Sequence, residues 1–175
     1  MTKAIVSLID GLPLKNPDAQ LELTYDKEFL VIVEKEFVGF KTNAVNTFKI
    51  PLSNFLESTV TTEQELVEES KSVIGRGVVG GLLFGPAGLI LGGMSGIGTK
   101  QAKKTNQVYL VSYLSSSGEI KNITFVMPSL MVSVTKKFDK DLKKSLTKVQ
   151  RSAEVLRILA NANNVSAEVK TETIL

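Results

Sequence analysis

Two glycine-rich stretches of this chain are spaced almost as in nucleotide-binding loops. Gly75–Gly80 fits the pattern G-x-G-x-x-G, which needs a strand before it and an acidic residue about 20 positions later. Ser72–Ile74 makes a poor strand, and the next acidic residue is Glu119. Gly93–Lys100 approaches a phosphate-binding loop, but its final Lys and Thr stand in the reverse of the required order. Neither stretch therefore predicts nucleotide binding.

The residue types for acid–base and metal chemistry are scarce. The chain has no histidine and no cysteine, so it lacks the commonest general base, the commonest metal ligand and all thiolate chemistry. Carboxylates cluster at Glu34 and Glu36 and again in residues 63–69, without the spacing of a cation site and without a partner base. We interpret them as surface charge. We expect no enzyme, no catalytic residue, no metal and no cofactor.

The glycines themselves form the strongest pattern. Ten of the thirteen lie between Gly75 and Thr99, and no charged residue lies between Arg76 and Lys100. Glycine at every fourth position clears one face of an apolar helix, so that another helix can approach closely. The pattern favours membrane insertion or tight helix association. Its two ladders are Gly77, Gly81 and Gly85 before Pro86, and Gly88, Gly92 and Gly96 after it; the large apolar residues among them include Leu82, Leu83, Phe84, Leu89, Ile90 and Leu91.

A single membrane crossing is not the expected form of this segment. Gly77–Thr99 would extend roughly 34 Å as one helix, which is enough for a bilayer core. However, Gly85-Pro86 lies near its middle, and strands of one predicted domain flank it on both sides. Cations also flank both ends, at Arg76, Lys100, Lys103 and Lys104. We predict a helical hairpin bent at Gly85-Pro86, either re-entrant in a membrane or buried against protein.

Alternation of apolar and polar residues predicts strands on both sides of the glycine segment. The predicted strands are 4–9, 21–25, 29–33, 37–40, 48–52, 58–62, 108–114 and 119–127, the last two forming a hairpin. The period then becomes helical, and an apolar stripe predicts one continuous helix of about six turns that ends near Asn161. The stripe consists of Phe138, Leu142, Leu146, Val149, Ala153, Leu156 and Ala160.

This predicted helix is basic. It carries eight cations against three acidic residues between Lys136 and Arg157. A basic face attracts anionic lipid, and a solvated outer face is the alternative interpretation. The candidate lipid contacts on the helix are Lys136, Lys137, Lys140 and Lys144. No nucleic-acid motif accompanies them, so we expect no nucleic acid partner.

Several phrases, taken in order, resemble the bacterial pleckstrin-homology-like (PH-like) domain, and in particular an uncharacterised type from Firmicutes and phages. They are Asp10–Pro13, Phe48–Phe55, Leu83–Pro86 and Tyr109–Phe125. The resemblance covers roughly residues 1–145. It implies a binding or scaffolding module of α+β class, mainly β: a small antiparallel barrel closed by a long C-terminal helix, with the glycine-rich helical hairpin inserted.

We therefore expect one PH-like domain over residues 1–162, containing the insertion 72–104 and followed by a tail, 163–175. The N-terminal apolar run is too short for a signal peptide, so we expect a cytoplasmic location, including the inner face of a membrane.

Two functions remain open. One is a module attached to membrane or oligomerised through the hairpin, in a phage or prophage setting. The other is a soluble homo-oligomer, or partner-binding protein, whose hairpins pack between subunits.

Overall fold

Seven strands form one antiparallel sheet in the order β4-β3-β2-β1-β9-β8-β5. The computed structural model describes residues 2–39, 41–65, 78–79, 82–83 and 106–168. The strands are β1 (Ala4–Asp10), β2 (Gln20–Tyr25), β3 (Phe29–Val38), β4 (Lys41–Pro51), β5 (Phe55–Thr62), β8 (Gln107–Leu114) and β9 (Ile120–Val126). The predicted strands are confirmed except for 37–40: its first two residues belong to β3 together with 29–33, and Gly39 lies in the turn that follows β3. The predicted hairpin 108–127 is β8–β9, paired from Val108↔Val126 to Leu114↔Ile120.

The sheet does not close into the predicted barrel. Its edges are β4 and β5, which are joined through a 3₁₀ turn at Leu52–Asn54 rather than paired. Pro51 ends β4 and has no N–H to donate to a further strand, which limits pairing at this corner. The helix that follows β9 packs against β1 and β5 instead.

The core lies between one face of the sheet and this helix. Alternate residues of each strand point inward, so that Val6, Leu23, Ile32 and Phe125 are fully buried. Phe138 of the helix enters the same cluster and meets the ring of Tyr25 edge-on, with 5.5 Å between the ring centroids. The sheet and the first part of the helical stripe therefore share one core.

The predicted single helix is wrong, because the structure has two. Helix α1 spans Val132–Leu146 and helix α2 spans Ala153–Glu168, so that α2 also runs through the asparagines predicted to end the helix. Between them, Arg151 donates to the carbonyls of Phe55 and Leu56 (both 2.8 Å), and the Ser152 N–H donates to the Ser53 carbonyl (3.0 Å). These bonds tie the connection to the start of β5 and break the helix.

The break between the helices changes which apolar residues of the second helix are buried. Val155 of α2 is buried against Leu56 and Leu114 in a second, smaller cluster, and Ile158 and Leu159 are partly buried there. The predicted stripe holds in α1, where Phe138, Leu142 and Leu146 are buried. It fails in α2, where its members Ala153, Leu156 and Ala160 are exposed.

Four residues of the predicted helical hairpin are described, and they are extended rather than helical. β6 (Val78–Val79) and β7 (Leu82–Leu83) pair antiparallel as Val78↔Leu83 and Val79↔Leu82, and β7 lies against β5. Two glycines separate them in the sequence, a residue pair that tight hairpins favour. The remainder of the predicted hairpin lies outside the described residues.

Glu34 was interpreted as surface charge, and that interpretation is wrong. Only 1% of Glu34 is exposed. Its carboxylate accepts hydrogen bonds from the N–H groups of Lys15 (3.3 Å) and Asn16 (2.9 Å) and from the side-chain amide of Asn46 (2.6 Å). Burial acts to raise the pKa of Glu34, but the hydrogen bonds, led by that from Asn16, bring the pKa below its usual value. This carboxylate fastens the β1–β2 loop to β3 and β4.

Replacing Glu34 tests this role. We expect Glu34→Gln to lower the free energy of unfolding at pH 7 by about 1–3 kcal/mol, because an amide NH₂ would face N–H donors in a buried site. Since the folded pKa is depressed, the contribution of Glu34 is present above its unfolded pKa and is lost as pH falls through the folded pKa. Urea unfolding of both proteins between pH 7 and pH 3 should show their stabilities converging in acid. Glu36→Gln, at an exposed position of β3, is the control and should leave stability unchanged; an equal loss there would contradict the assignment.

Candidate functional site

The glycine-rich insertion leaves and re-enters the domain at one point, which we call the neck (Thr62–Glu65 and Asn106). β5 and β8 remain paired up to Thr62↔Gln107. Just beyond, the Glu63 N–H donates to the Asn106 carbonyl (3.0 Å), and the Asn106 amide donates to the Glu63 carboxylate (3.1 Å). The two chain segments that lead to and from the insertion are thus hydrogen-bonded to each other. The insertion must start and finish on the same side of any surface that it enters.

A capping box organises the first segment of the neck, Thr62–Glu65. The Glu65 N–H donates to the Thr62 hydroxyl (3.2 Å), and the Glu65 carboxylate accepts from the Thr62 N–H (2.9 Å) and the Thr61 hydroxyl (2.9 Å). These bonds, the Thr62 N–H foremost, lower the pKa of Glu65, and Lys136 adds to the effect. Residues 63–65 are helical as a result. Sequence analysis missed this site, although Thr-x-x-Glu is its ordinary signature.

Helix α1 presents its lysines to solvent beginning at the neck. Lys136, Lys137, Lys140 and Lys144 are all exposed, because Phe138 and Leu142 turn the opposite face of the helix into the core. The basic face starts near the neck, because the Met127 N–H, shortly before α1, donates to the Gln107 carbonyl (2.9 Å) and Gln107 pairs with Thr62. The structure therefore brings the four predicted helix lysines onto one surface and places its N-terminal end at the base of the insertion.

Polar contacts fix α1 on β5. The carboxylate of Asp139 is mostly buried and accepts a hydrogen bond from the buried Ser58 hydroxyl. It also forms an ion pair with the Lys143 ammonium (2.9 Å). The Tyr109 hydroxyl is buried beside them without a hydrogen-bond partner among the described residues. Burial, and then the charge of Asp139, raises the pKa of Tyr109 well above its usual value, so the phenol remains neutral. This cluster positions the basic helix rather than performing chemistry.

A cavity of about 350 Å³ lies between β5, α1 and α2, with Glu57, Lys143 and Arg151 among its lining residues. Burial raises the pKa of Glu57, while Lys143 and Arg151 oppose the shift. Burial lowers the pKa of Arg151, and Glu57 opposes that shift. The cavity is lined by one carboxylate and two cations, and the bonds from Arg151 to the β5 carbonyls give this corner a structural role.

The other predicted site residues lie outside the described part of the chain, apart from Leu82 and Leu83, which form β7. They are Gly77, Gly81, Phe84, Gly85, Pro86, Gly88, Leu89, Ile90, Leu91, Gly92 and Gly96 of the hairpin, and Arg76, Lys100, Lys103 and Lys104 of its flanks. No helix among the described residues is both long and apolar enough to span a membrane. In the same residues, no three acidic side chains come close enough to hold a metal ion.

Comparison with known families supports this architecture. The family model of a glycine zipper containing PH domain matches residues 14–127, about two thirds of the chain, including β2 to β9 and the insertion. The chain belongs to this glycine-zipper PH family. No curated protein matches it. Membership makes the protein a PH-like binding or scaffolding module, a class that is generally non-catalytic.

Proposed function

We propose that this glycine-zipper PH protein is a scaffolding module that attaches to an anionic membrane surface. The insertion, residues 72–104 within a domain of residues 1–162, enters the lipid, and the α1 lysines contact the headgroups. One observation carries the proposal: the neck and the start of the basic helix lie at the same end of the sheet, because the Met127 N–H, shortly before α1, donates to the carbonyl of Gln107, which pairs with Thr62. An apolar insertion and a cationic face at one end of a domain are complementary to an anionic bilayer.

The closed neck supports a re-entrant form of attachment. The segments that lead to and from the insertion meet at the Glu63–Asn106 contact, so both stay on the side of the membrane where the PH domain lies. Because β6 and β7 are extended and β7 lies against β5, the uncharged residues that remain for the lipid are 84–99. This stretch is shorter than the roughly 20 residues needed to cross as a helix. The flanking cations Arg76, Lys100, Lys103 and Lys104 would then remain at the headgroups. In this proposal the domain lies on the inner face of a membrane, in a phage or prophage setting.

The glycine ladders would allow inserted hairpins of neighbouring copies to associate. A second candidate function keeps the hairpin in contact with protein, in a soluble homo-oligomer. The contact of β7 with β5 favours it, because the first part of the insertion returns to the edge of the sheet. The two candidates differ in whether lipid or another subunit covers the remaining apolar residues.

Neutralising the basic face tests the membrane proposal. In the triple variant Lys136→Gln/Lys137→Gln/Lys140→Gln, we expect partitioning onto phosphatidylglycerol vesicles at low salt to weaken about 100-fold, because each lysine near an anionic surface contributes about 1 kcal/mol. Vesicle flotation measured over a range of lipid concentrations gives the partition coefficient.

A matched control removes the same charge elsewhere. Lys15, Lys41 and Lys121 are exposed residues of a loop and of strands β4 and β9, and their triple Gln variant loses the same three positive charges. We expect it to partition nearly as the original protein does. Equal weakening by both variants would mean that net charge, and not the α1 face, attracts the membrane. An absence of flotation by the original protein, with a discrete oligomer in solution, would favour the second candidate.

A further inference from the structure

Two apolar side chains at the start of α1 project into solvent. Leu130, in a 3₁₀ turn at Ser129–Met131, is 89% exposed, and Val134, one turn later, is 39% exposed. Isolated exposed apolar residues need no explanation. These two are notable for their position and their neighbours, since exposed lysines follow directly at positions 136 and 137.

The pair lies at the neck. The Met127 N–H donates to the Gln107 carbonyl (2.9 Å), and Gln107 pairs with Thr62. Leu130 therefore lies three residues beyond Met127, which is bonded to the first residue of β8, where the chain returns from the insertion. Lys136, two residues beyond Val134, acts electrostatically on Glu65 of the neck. The base of the insertion, the two apolar side chains and the first lysines thus belong to one end of the domain.

We propose that Leu130 and Val134 form a membrane wedge that enters the boundary between headgroups and acyl chains of an anionic bilayer. The inference rests on the proposed function and adds to it a second contact, outside the insertion, that would set the orientation of the PH domain. The charge pattern indicates that this surface binds an anionic bilayer. Leu130 and Val134 are bordered by Lys136 and Lys137, and in an anionic bilayer the apolar chains lie below a layer of negative charge. With the insertion, the wedge gives two separated attachment points and holds α1 against the surface.

The chain has no tryptophan, so a single Leu130→Trp variant carries a unique fluorescent probe at the wedge. Its matched control is Leu156→Trp, also an exposed leucine (56%). Leu156 adjoins Val155, which packs near Leu56 at the far end of β5 from the neck. Both variants are full-length and are mixed with phosphatidylglycerol vesicles, with and without brominated acyl chains. Circular dichroism checks that each is folded.

We expect the indole at position 130 to shift its emission to shorter wavelength on vesicles and to be quenched by brominated lipid, while the indole at position 156 changes little. We also expect Leu130→Ser/Val134→Ser to weaken partitioning about ten-fold, because the two side chains would bury part of their apolar surface in the bilayer. Flotation without a change at position 130 would overturn the wedge and leave membrane attachment standing. Absence of flotation would overturn both. A blue shift at position 130 that requires no vesicles and grows with protein concentration would assign this surface to a second copy and overturn the wedge.

Discussion

Deletion of residues 75–99 should abolish salt-resistant binding of this protein to anionic vesicles. The apolar residues of this segment that follow β7 contribute roughly 0.3–0.6 kcal/mol each in a bilayer, so the six large ones contribute about 2–4 kcal/mol. That corresponds to a loss of roughly 30-fold to 10³-fold in partitioning. Flotation at low and high salt measures it. The lysines of α1 and Lys100, Lys103 and Lys104 remain in the variant, so we expect residual binding that high salt removes.

The same variant separates the two candidate functions. The β5–β8 ladder and the Glu63–Asn106 contact lie outside the deleted residues, so the PH domain should keep its thermal unfolding transition. Loss of flotation with unchanged oligomer size supports membrane insertion. Loss of assembly without any effect on lipid binding would contradict it and identify the glycine ladders as a subunit contact. Light scattering after gel filtration gives the oligomer size.

Gly11→Ala should be the most destabilising conservative substitution that we identify in the sheet. Gly11 follows β1 with φ of +103°, a conformation that L residues rarely adopt. A Cβ atom there would lie 2.3 Å from the Asn122 carbonyl oxygen and 2.9 Å from the Ile123 Cα. Both are backbone atoms of β9, a central strand held between β1 and β8, so neither can move without breaking ladder bonds. We expect a loss of at least about 3 kcal/mol of unfolding free energy, measured by urea titration with circular dichroism.

Gly39→Ala provides the matched control. Gly39 also has a positive φ, +63°, but no atom of the described residues lies within 4 Å of its ideal Cβ position. Only the conformational cost of the left-handed region applies there, which is about 1–2 kcal/mol. The difference between the two variants isolates the contact with β9. Equal destabilisation would show that backbone conformation alone, and not the approach of the two strands, requires glycine at position 11.

The sequence alone determined the elements whose pattern is local. The alternation in β2 and β9 reflects a period of two residues, and the structure confirms these strands. The four-residue spacing of glycine predicted helix, whereas Val78–Val79 and Leu82–Leu83 are extended. The sequence phrases that resemble PH-like domains, together with the glycine segment, indicated a PH-like domain with a glycine zipper, which the family match over residues 14–127 confirms. The exposed lysines of α1 were also predictable, because Phe138 and Leu142 mark the opposite face as buried.

Partners distant in the sequence decided the remaining features. The helical stripe runs through positions 147–152 without interruption, yet the chain breaks there, because Arg151 and Ser152 find carbonyl acceptors about 100 residues earlier, near the start of β5. Glu34 has the sequence context of a surface carboxylate. It is buried because the loop after β1 supplies two N–H donors and β4 supplies the Asn46 amide.

The proposed membrane-binding surface also combines features that the sequence predicts with features that only the tertiary structure supplies. Its lysines, glycines and apolar residues can each be read from the sequence, but their common location depends on the β5–β8 register and on the packing of α1 along β5. Periodicity reports which face of an element is apolar, since that depends on neighbours three or four residues away. It carries no information on which distant donors and acceptors will satisfy a buried polar group, because that choice depends on long-range pairing, which only the folded chain supplies.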